Sequence, residues 1–331
     1  HRLDMGQSRE DLETAAFFSR FESRRTSIGW QNQFQLGNDQ TVTAGIDHHR
    51  ERGGSFDTFS GAPSYSEDRR NTGIYGGWQA SFGALETELS LRHDDNSVFG
   101  TANTGSGALG WRFSPSTRVY LSYGQGFRGP TLNEQFSPGF GGFFAGNPDL
   151  DPERSRSAEL GVEFTPAPDQ RFTASLYSTR IRNLVSFTGP MSRAENVQRA
   201  RIDGSELAYS GSGGDWTWSA NTTLQDPQNE DTDSQLLRRA KFKSTLVLER
   251  NLGSAFRVGG ELVHAGKRDD FGGVELPSYS LLNLRASWRF ASDWRMTGRI
   301  ENLTDRNYEL VRGYNTPGRS GFVEVVWQPG Q

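Results

Sequence analysis

The sequence predicts an all-β protein, an antiparallel transmembrane β-barrel with short turns at one rim and long loops at the other. Three observations carry that prediction. Alternating apolar and polar stretches about ten residues long recur along the chain, the connections between them alternate between short and long, and no run of about 18 apolar residues offers a membrane-crossing helix. The alternation is clearest at 282–290. There Leu282, Leu284, Ala286, Trp288 and Phe290 take one face and Asn283, Arg285, Ser287 and Arg289 the other. A strand has period two, so the apolar groups point one way and both arginines the opposite way.

The strands follow in order, bounded by turn-forming residues. Those at 24–36 and 40–50 meet at the short turn 37–39, and the polar stretch 51–71 leads to 72–82, which turns at 83–84 into 85–93. Strands 105–113 and 117–124 are joined by 114–116, and the longest loop, 125–154, comes next. Beyond it, 155–164 and 171–180 share the turn 165–170, the loop 181–199 intervenes, and 200–209 and 216–225 meet across 211–215. Loop 226–239 precedes the pair 240–250 and 255–264, joined at 251–254, and loop 265–279 precedes 280–290 and 294–302, joined at 291–293. Loop 303–319 and a last strand at 320–327 complete fifteen strands, with a stub of a sixteenth at the extreme N-terminus. Such alternation gives two unlike rims, periplasmic for the short turns and extracellular for the long loops, and a soluble sandwich would not keep it through so many hairpins.

Composition is compatible with this reading although mean hydropathy is only -0.69. The 331 residues are 33% hydrophobic, with 39 glycines, 13 prolines and no cysteine. A barrel strand needs only about 9 to 11 residues, half of them apolar, so low hydropathy does not exclude a membrane. The lack of cysteine removes thiolate metal sites and thiol nucleophiles and fits an oxidising compartment that does not use the disulfide. A net charge of -4 without a basic stripe argues against nucleic acid. The chain opens at His1 with neither initiator methionine nor signal peptide, so an earlier segment is expected to have been removed by processing or truncation.

Energy assigns the faces. An Arg or Lys facing lipid at the midplane costs roughly 2–4 kcal/mol, so Glu86, Glu88, Arg92, Lys241, Lys243, Glu249, Arg257, Glu261, Arg299 and Glu301 should face a wet interior. Trp78, Trp111, Trp288, Trp294 and Trp327, near strand ends, should form interfacial girdles. A water-soluble sheet with a polar outer face is the alternative that alternation alone leaves open.

Four features invite chemistry. Gly124-Gln125-Gly126-Phe127-Arg128-Gly129 matches a dinucleotide fingerprint, but Pro130 and a Gly-, Phe- and Pro-rich loop follow where a helix should open. The glycines are expected to let the strand leave the wall. Acidic clusters at 94–96, 229–233 and 269–270 could ligate calcium but lack EF-hand spacing and read as solvated loop charge. Asp47 and Asp94 adjoin His48 and His93, yet neighbours in a strand face opposite sides, which argues against a hydrolytic triad. Phe136, Phe140, Phe143 and Phe144 place apolar rings on a rim that should be polar, either as a binding surface or collapsed on themselves.

Several longer stretches are recognisable as words. They are Arg70-Asn71-Thr72-Gly73-Ile74-Tyr75, Asp94-Asp95-Asn96-Ser97, Gly146-Asn147-Pro148-Asp149-Leu150-Asp151-Pro152-Glu153-Arg154-Ser155, Leu236-Leu237-Arg238-Arg239-Ala240-Lys241, Glu301-Asn302-Leu303 and Gly313-Tyr314-Asn315-Thr316-Pro317-Gly318-Arg319. Across nearly the whole chain and in the same order, they resemble the TonB-dependent outer-membrane receptors, in particular the cobalamin branch.

The resemblance implies a barrel of twenty-two strands closed by an N-terminal plug. It also implies uptake driven by the TonB-ExbB-ExbD complex in the outer membrane of a Gram-negative bacterium, with lipid and lipopolysaccharide around the barrel. It makes the chain a C-terminal barrel fragment of 15–16 strands, with plug and first strands missing. The cargo is expected to be cobalamin or another large chelate. No cofactor and no catalytic role are implied, and calcium is unsupported. Carried over residue by residue, Phe144, Arg238 and Tyr314 fall on ligand-binding positions, with Phe271 a looser match. Rings can pack on a flat corrinoid, and a guanidinium can pair with its phosphate or amide oxygens. A siderophore receptor or a passive sixteen-stranded porin are the alternatives.

Overall fold

The computed structural model describes residues 1–15, 18–139, 142–189 and 191–329. Among these, nineteen strands and one helix follow in chain order. They are β1 (Arg2–Thr14), β2 (Ser19–Leu36), β3 (Gln40–Asp57), β4 (Pro63–Phe82), β5 (Leu85–Asn96), β6 (Gly100–Ser114), β7 (Thr117–Arg128), α1 (Leu132–Phe136), β8 (Glu153–Ala167), β9 (Gln170–Thr188) and β10 (Arg193–Gly213). Then come β11 (Trp216–Asn229), β12 (Ser234–Gln235), β13 (Phe242–Leu252), β14 (Phe256–Ala265), β15 (Arg268–Asp270), β16 (Val274–Leu276), β17 (Tyr279–Ala291), β18 (Trp294–Glu301) and β19 (Ser320–Trp327). The chain divides into two compact units, His1–Trp111 with Tyr120–Ala158 and Thr179–Ala200, and Arg112–Val119 with Glu159–Ser178 and Arg201–Gln331.

In the first unit β1 to β6 form an antiparallel meander whose register separates two kinds of face. Leu3, Trp30, Ile46 and Ile74 lie in one row and Phe34, Val42, Trp78 and Leu89 in another, both on the same face. Trp30 is 51% exposed and Ile74 57%, an apolar surface that suits lipid and not water. The opposite face carries Gln31, Gly45, Tyr75 and Arg92, then Asp47, Gly73 and Asp94. Arg92 bonds Asp47 at 2.6 Å and Asp94 at 2.7 Å, and Asn71 donates to Asp94 at 2.7 Å. The guanidinium fits because Gly73 has no side chain: a Cβ there would lie 1.9 Å from Arg92 Nη2.

The second unit contains a like meander, β11-β13-β14-β17-β18-β19. Leu248, Gly260, Leu284 and Ile300 share one row, and Glu249, Gly259, Arg285 and Arg299 the neighbouring row on the other face. Arg285 pairs with Glu249 at 2.8 Å across Gly259. Lys243, Arg257, Glu261 and Glu301 keep to this polar face, as Glu86 and Glu88 do in the first unit. At the short-turn end a string of rings links Phe256, Trp288, Phe290, Trp294 and Trp327, with centroids 5.5–6.2 Å apart. Three of the five tryptophans expected in the girdles, Trp288, Trp294 and Trp327, stand in this string.

Two expectations need correction. The N-terminal stub is a full strand, β1, paired residue by residue with β2 from Arg2↔Gln31 to Thr14↔Ser19. The polar stretch 51–71 is mostly ladder, because β3 and β4 stay paired up to Phe56↔Pro63. The 20-residue β4 is about 65 Å long, far more than the 9 to 11 residues a bilayer requires, so it overruns the membrane. Beyond lipid both faces meet water, and pairing continues without the alternation that marks a strand.

The longest loop also differs from its reading. β7 continues through Gly124 and Gly126 to Arg128, and a one-turn helix follows, with Thr131 and Glu134 forming a capping box. Gly129 leaves room for Phe99, whose ring would be 2.4 Å from a Cβ at that position. The Asn-Pro-Asp-Leu-Asp-Pro-Glu words fold the loop back on α1. The Asn147 amide donates to the Glu134 carbonyl at 2.8 Å, Leu150 is buried, and Arg128 grips Glu134 at 2.9 Å and Glu153 at 2.7 Å.

Candidate ligand-binding site

In the second unit the segment after β12 runs Leu236-Leu237-Arg238-Arg239-Ala240. Leu236 and Ala240 are buried, and they anchor it while Arg238 takes a left-handed φ of 59°. The Arg238 amide donates to the Asp269 carbonyl at 2.7 Å, which brings its side chain over the β15–β16 hairpin. There Nε donates to Asp270 Oδ1 at 2.7 Å and the guanidinium lies 5.0 Å from the centre of the Phe271 ring. This end of the guanidinium is held, whereas the side chain as a whole stays 39% exposed.

Asp270 is the hub. Its side chain is fully buried and also accepts the Phe271 amide at 2.8 Å and the Arg312 amide at 2.7 Å. Burial pushes its carboxyl up, but those two amides and Arg238 outweigh it and hold the group below the ordinary 3.8. Reading 269–270 as solvated charge was therefore wrong for Asp270, because three segments converge on it. Arg268 is buried beside it, donates to the Glu309 carbonyl and lies 5.1 Å from the Tyr279 ring centre. Tyr279 in turn sits 4.5 Å from Tyr308, so the loop 303–319 is docked on the hairpin.

Tyr314 lies two residues beyond Arg312, after Gly313 at φ 78°, and its ring is 71% exposed. The loop that carries it is shaped by Asn302, whose side chain bonds the Arg306 amide at 2.8 Å and the Arg306 carbonyl at 2.9 Å. Arg238 and Phe271 are thus in contact, and Tyr314 shares their loop cluster.

Phe144 belongs to the first unit. It has φ 57°, its amide donates to the Met191 carbonyl at 3.0 Å, and its ring is 6.0 Å from Phe187. Of the other loop rings, Phe136 packs on Tyr65 at 6.1 Å, Phe143 is exposed, and Phe140 lies outside the described residues. The ring cluster is therefore partly collapsed and partly open.

Among the described residues no three His, Asp or Glu side chains gather as metal ligands. Asp94 is tied to Arg92 and Asn71, not to His93, which bonds Asn103 at 2.7 Å.

Antiparallel meanders with one lipid-compatible face, a charged face and a ring-lined short-turn rim define a class: membrane proteins that cross with strands in the manner of outer-membrane barrels. A family profile described as "TonB dependent receptor-like, beta-barrel" matches residues 4–303, and the chain belongs to that family. Its members are Gram-negative outer-membrane receptors and transporters, not a class of enzymes. Among curated proteins the chain is 30% identical over 321 residues to a vitamin B12 transporter, BtuB, of Vibrio vulnificus (strain YJ016), covering 92% of this chain and 50% of that protein. Solved structures with the same fold include the copper transporter OprC (TM-score 0.79, 18% identity, 93% of this chain, 56% of that one). The siderophore receptor PirA of Acinetobacter baumannii is similar (TM-score 0.75, 17% identity, 93% of this chain, 55% of that one). The chain spans about half the length of the relatives it matches.

Proposed function

We propose that this chain forms the later strands and extracellular loops of a TonB-dependent cobalamin transporter in a Gram-negative outer membrane. The 30% identity to a vitamin B12 transporter over 321 residues carries the reading. The match of residues 4–303 to a receptor β-barrel profile, over about half the length of the transporter, supports a barrel part, with plug and TonB contact supplied by the rest of a receptor. In the second unit Phe271 and Tyr314 offer rings to a flat macrocycle, and Arg238, fixed at Nε by Asp270, presents its outer nitrogens to phosphate or amide oxygens.

Titration of cyanocobalamin into the detergent-solubilised protein tests this. Arg238→Ala should weaken binding by about 1–3 kcal/mol, the scale of a charge-assisted hydrogen bond. Unchanged affinity would remove Arg238 from the site. Saturable binding of a ferric siderophore or copper in place of cobalamin would move the chain to another branch.

A second reading, a passive channel, is favoured by sixteen strands of eight or more residues among the described residues, an even number that suits closure. Continuous single-channel conductance in planar bilayers without an added plug would support it over the transporter.

A further inference from the structure

Above the apolar belt of the first unit, on the same face, the register places two rows of side chains in which five arginines face a single carboxylate. Leu3, Trp30, Ile46 and Ile74 are followed by Met5, Ile28, His48 and Thr72, the last row with apolar members. Next on that face come Gln7, Thr26, Arg50 and Arg70, and then Arg9, Arg24, Arg52 and Asp68. Five guanidinium groups thus stand two to four residues beyond Ile28, about 7–13 Å along the strands, where the hydrocarbon gives way to headgroups.

The charge is not neutralised locally. Asp68 is shared among Arg50 at 2.5 Å, Arg52 at 3.1 Å and Arg70 at 3.7 Å. Arg9 reaches Glu22 only at 3.7 Å, and among the described residues Arg24 has no ion-pair partner. One row further out the balance is restored, since Arg20 pairs with Asp11 at 2.5 Å and with Glu22 at 2.8 Å. A groove of about 540 Å³ opens here, lined by Gln7, Arg9, Glu22, Arg24, Arg52 and Gly54 among others.

We infer that this patch is a binding site for the phosphate-bearing headgroup of an outer-leaflet lipid. Guanidinium groups pair with phosphate oxygens through parallel hydrogen bonds, and the groove can admit the headgroup. Continuity with the apolar belt selects a lipid over free phosphate, because acyl chains would lie on Ile28, Trp30, Ile46 and Ile74 while the phosphates meet the arginines. The inference rests on the outer-membrane reading, which insertion into lipid nanodiscs tests separately.

The experiment uses the full chain in maltoside micelles, with heat-modifiable gel migration as the check that each variant is folded. Diphosphoryl lipid A, its dephosphorylated form and inorganic phosphate are the probes, and binding is measured by native mass spectrometry. The diphosphoryl lipid should bind at least about tenfold tighter than the dephosphorylated one. Arg24→Gln should cost about fivefold and the triple variant Arg24→Gln, Arg50→Gln, Arg52→Gln about a hundredfold. Arg25→Gln, whose side chain lies on the opposite face beside Glu51 and Arg69, should change nothing. Equal affinity for the two lipids, competition by millimolar inorganic phosphate, or an equal loss in Arg25→Gln and Arg24→Gln would overturn the assignment. A protein that inserts in nanodiscs and fails these tests overturns the lipid site alone; one that does not insert overturns the outer-membrane reading itself.

Discussion

Replacing Asp270 by alanine removes one carboxylate from which three segments hang. The substitution frees the amides of Phe271 and Arg312 and the Nε of Arg238, at distances of 2.7–2.8 Å. Each amide bond to a charged acceptor is worth about 1.5–3 kcal/mol. The arginine is partly exposed and solvent screens it, so its share falls to about 0.5–1 kcal/mol. A loss of about 3.5–7 kcal/mol follows, and it falls on the loop cluster while the strands below keep their ladders. Amide hydrogen exchange is the assay, because it reads local opening. In Asp270→Ala the Phe271 and Arg312 amides should exchange at least about a hundredfold faster, while those of β14 and β17 keep their rates. Unchanged exchange at Phe271 and Arg312 would refute the claim that this carboxylate organises the loops. Global unfolding of the variant would refute the claim that the effect is local.

The same group sets a pH dependence. Its folded pKa is depressed, so its contribution is complete above the ordinary 3.8 and disappears as pH falls through the lower folded value. Exchange protection of the Arg312 amide should therefore be flat from neutral pH to about 4 and collapse only below it. Gly73→Ala should dislodge Arg92 from Asp47 and the buried Asp94, costing about 3 kcal/mol, seen as a lower temperature for loss of the compact band on gels. Glu134→Gln removes a carboxylate that bonds both Arg128 and the Thr131 amide, so α1 should lose about 1–2 kcal/mol of local stability, readable as faster exchange at Gln135. Trp288→Ala breaks the stacking with Phe256 at 5.6 Å and should cost about 1 kcal/mol, measured by urea titration in lipid vesicles.

The membrane-spanning parts of the strands were legible because lipid on one side and water on the other write a period of two into the residues. Leu282 to Phe290 is the clearest case, and β17 covers it. The parts beyond the bilayer were not legible, since nothing there distinguishes the faces. β1 begins with Leu3 and Met5 on one face but continues with Gln7, Arg9, Asp11 and Glu13, and only pairing with β2 makes it a strand. The candidate site divides in the same way. Arg238 and Phe271 came from resemblance, and they do meet. Asp270 did not emerge, because its burial depends on partners 32 and 42 residues away, which no local pattern records. Arg268 was missed for the same reason.

Since one carboxylate ties Arg238, the hairpin and the segment at Arg312 together, these loops cannot lengthen or shorten at will. An insertion is harmless only where the knot does not feel it, at the turn of Gly272 and Gly273 or past Gly313, where positive φ values already make the chain reverse. Variation in what the rim recognises is thereby steered toward the tips, with Tyr314 on the free side of the fastening.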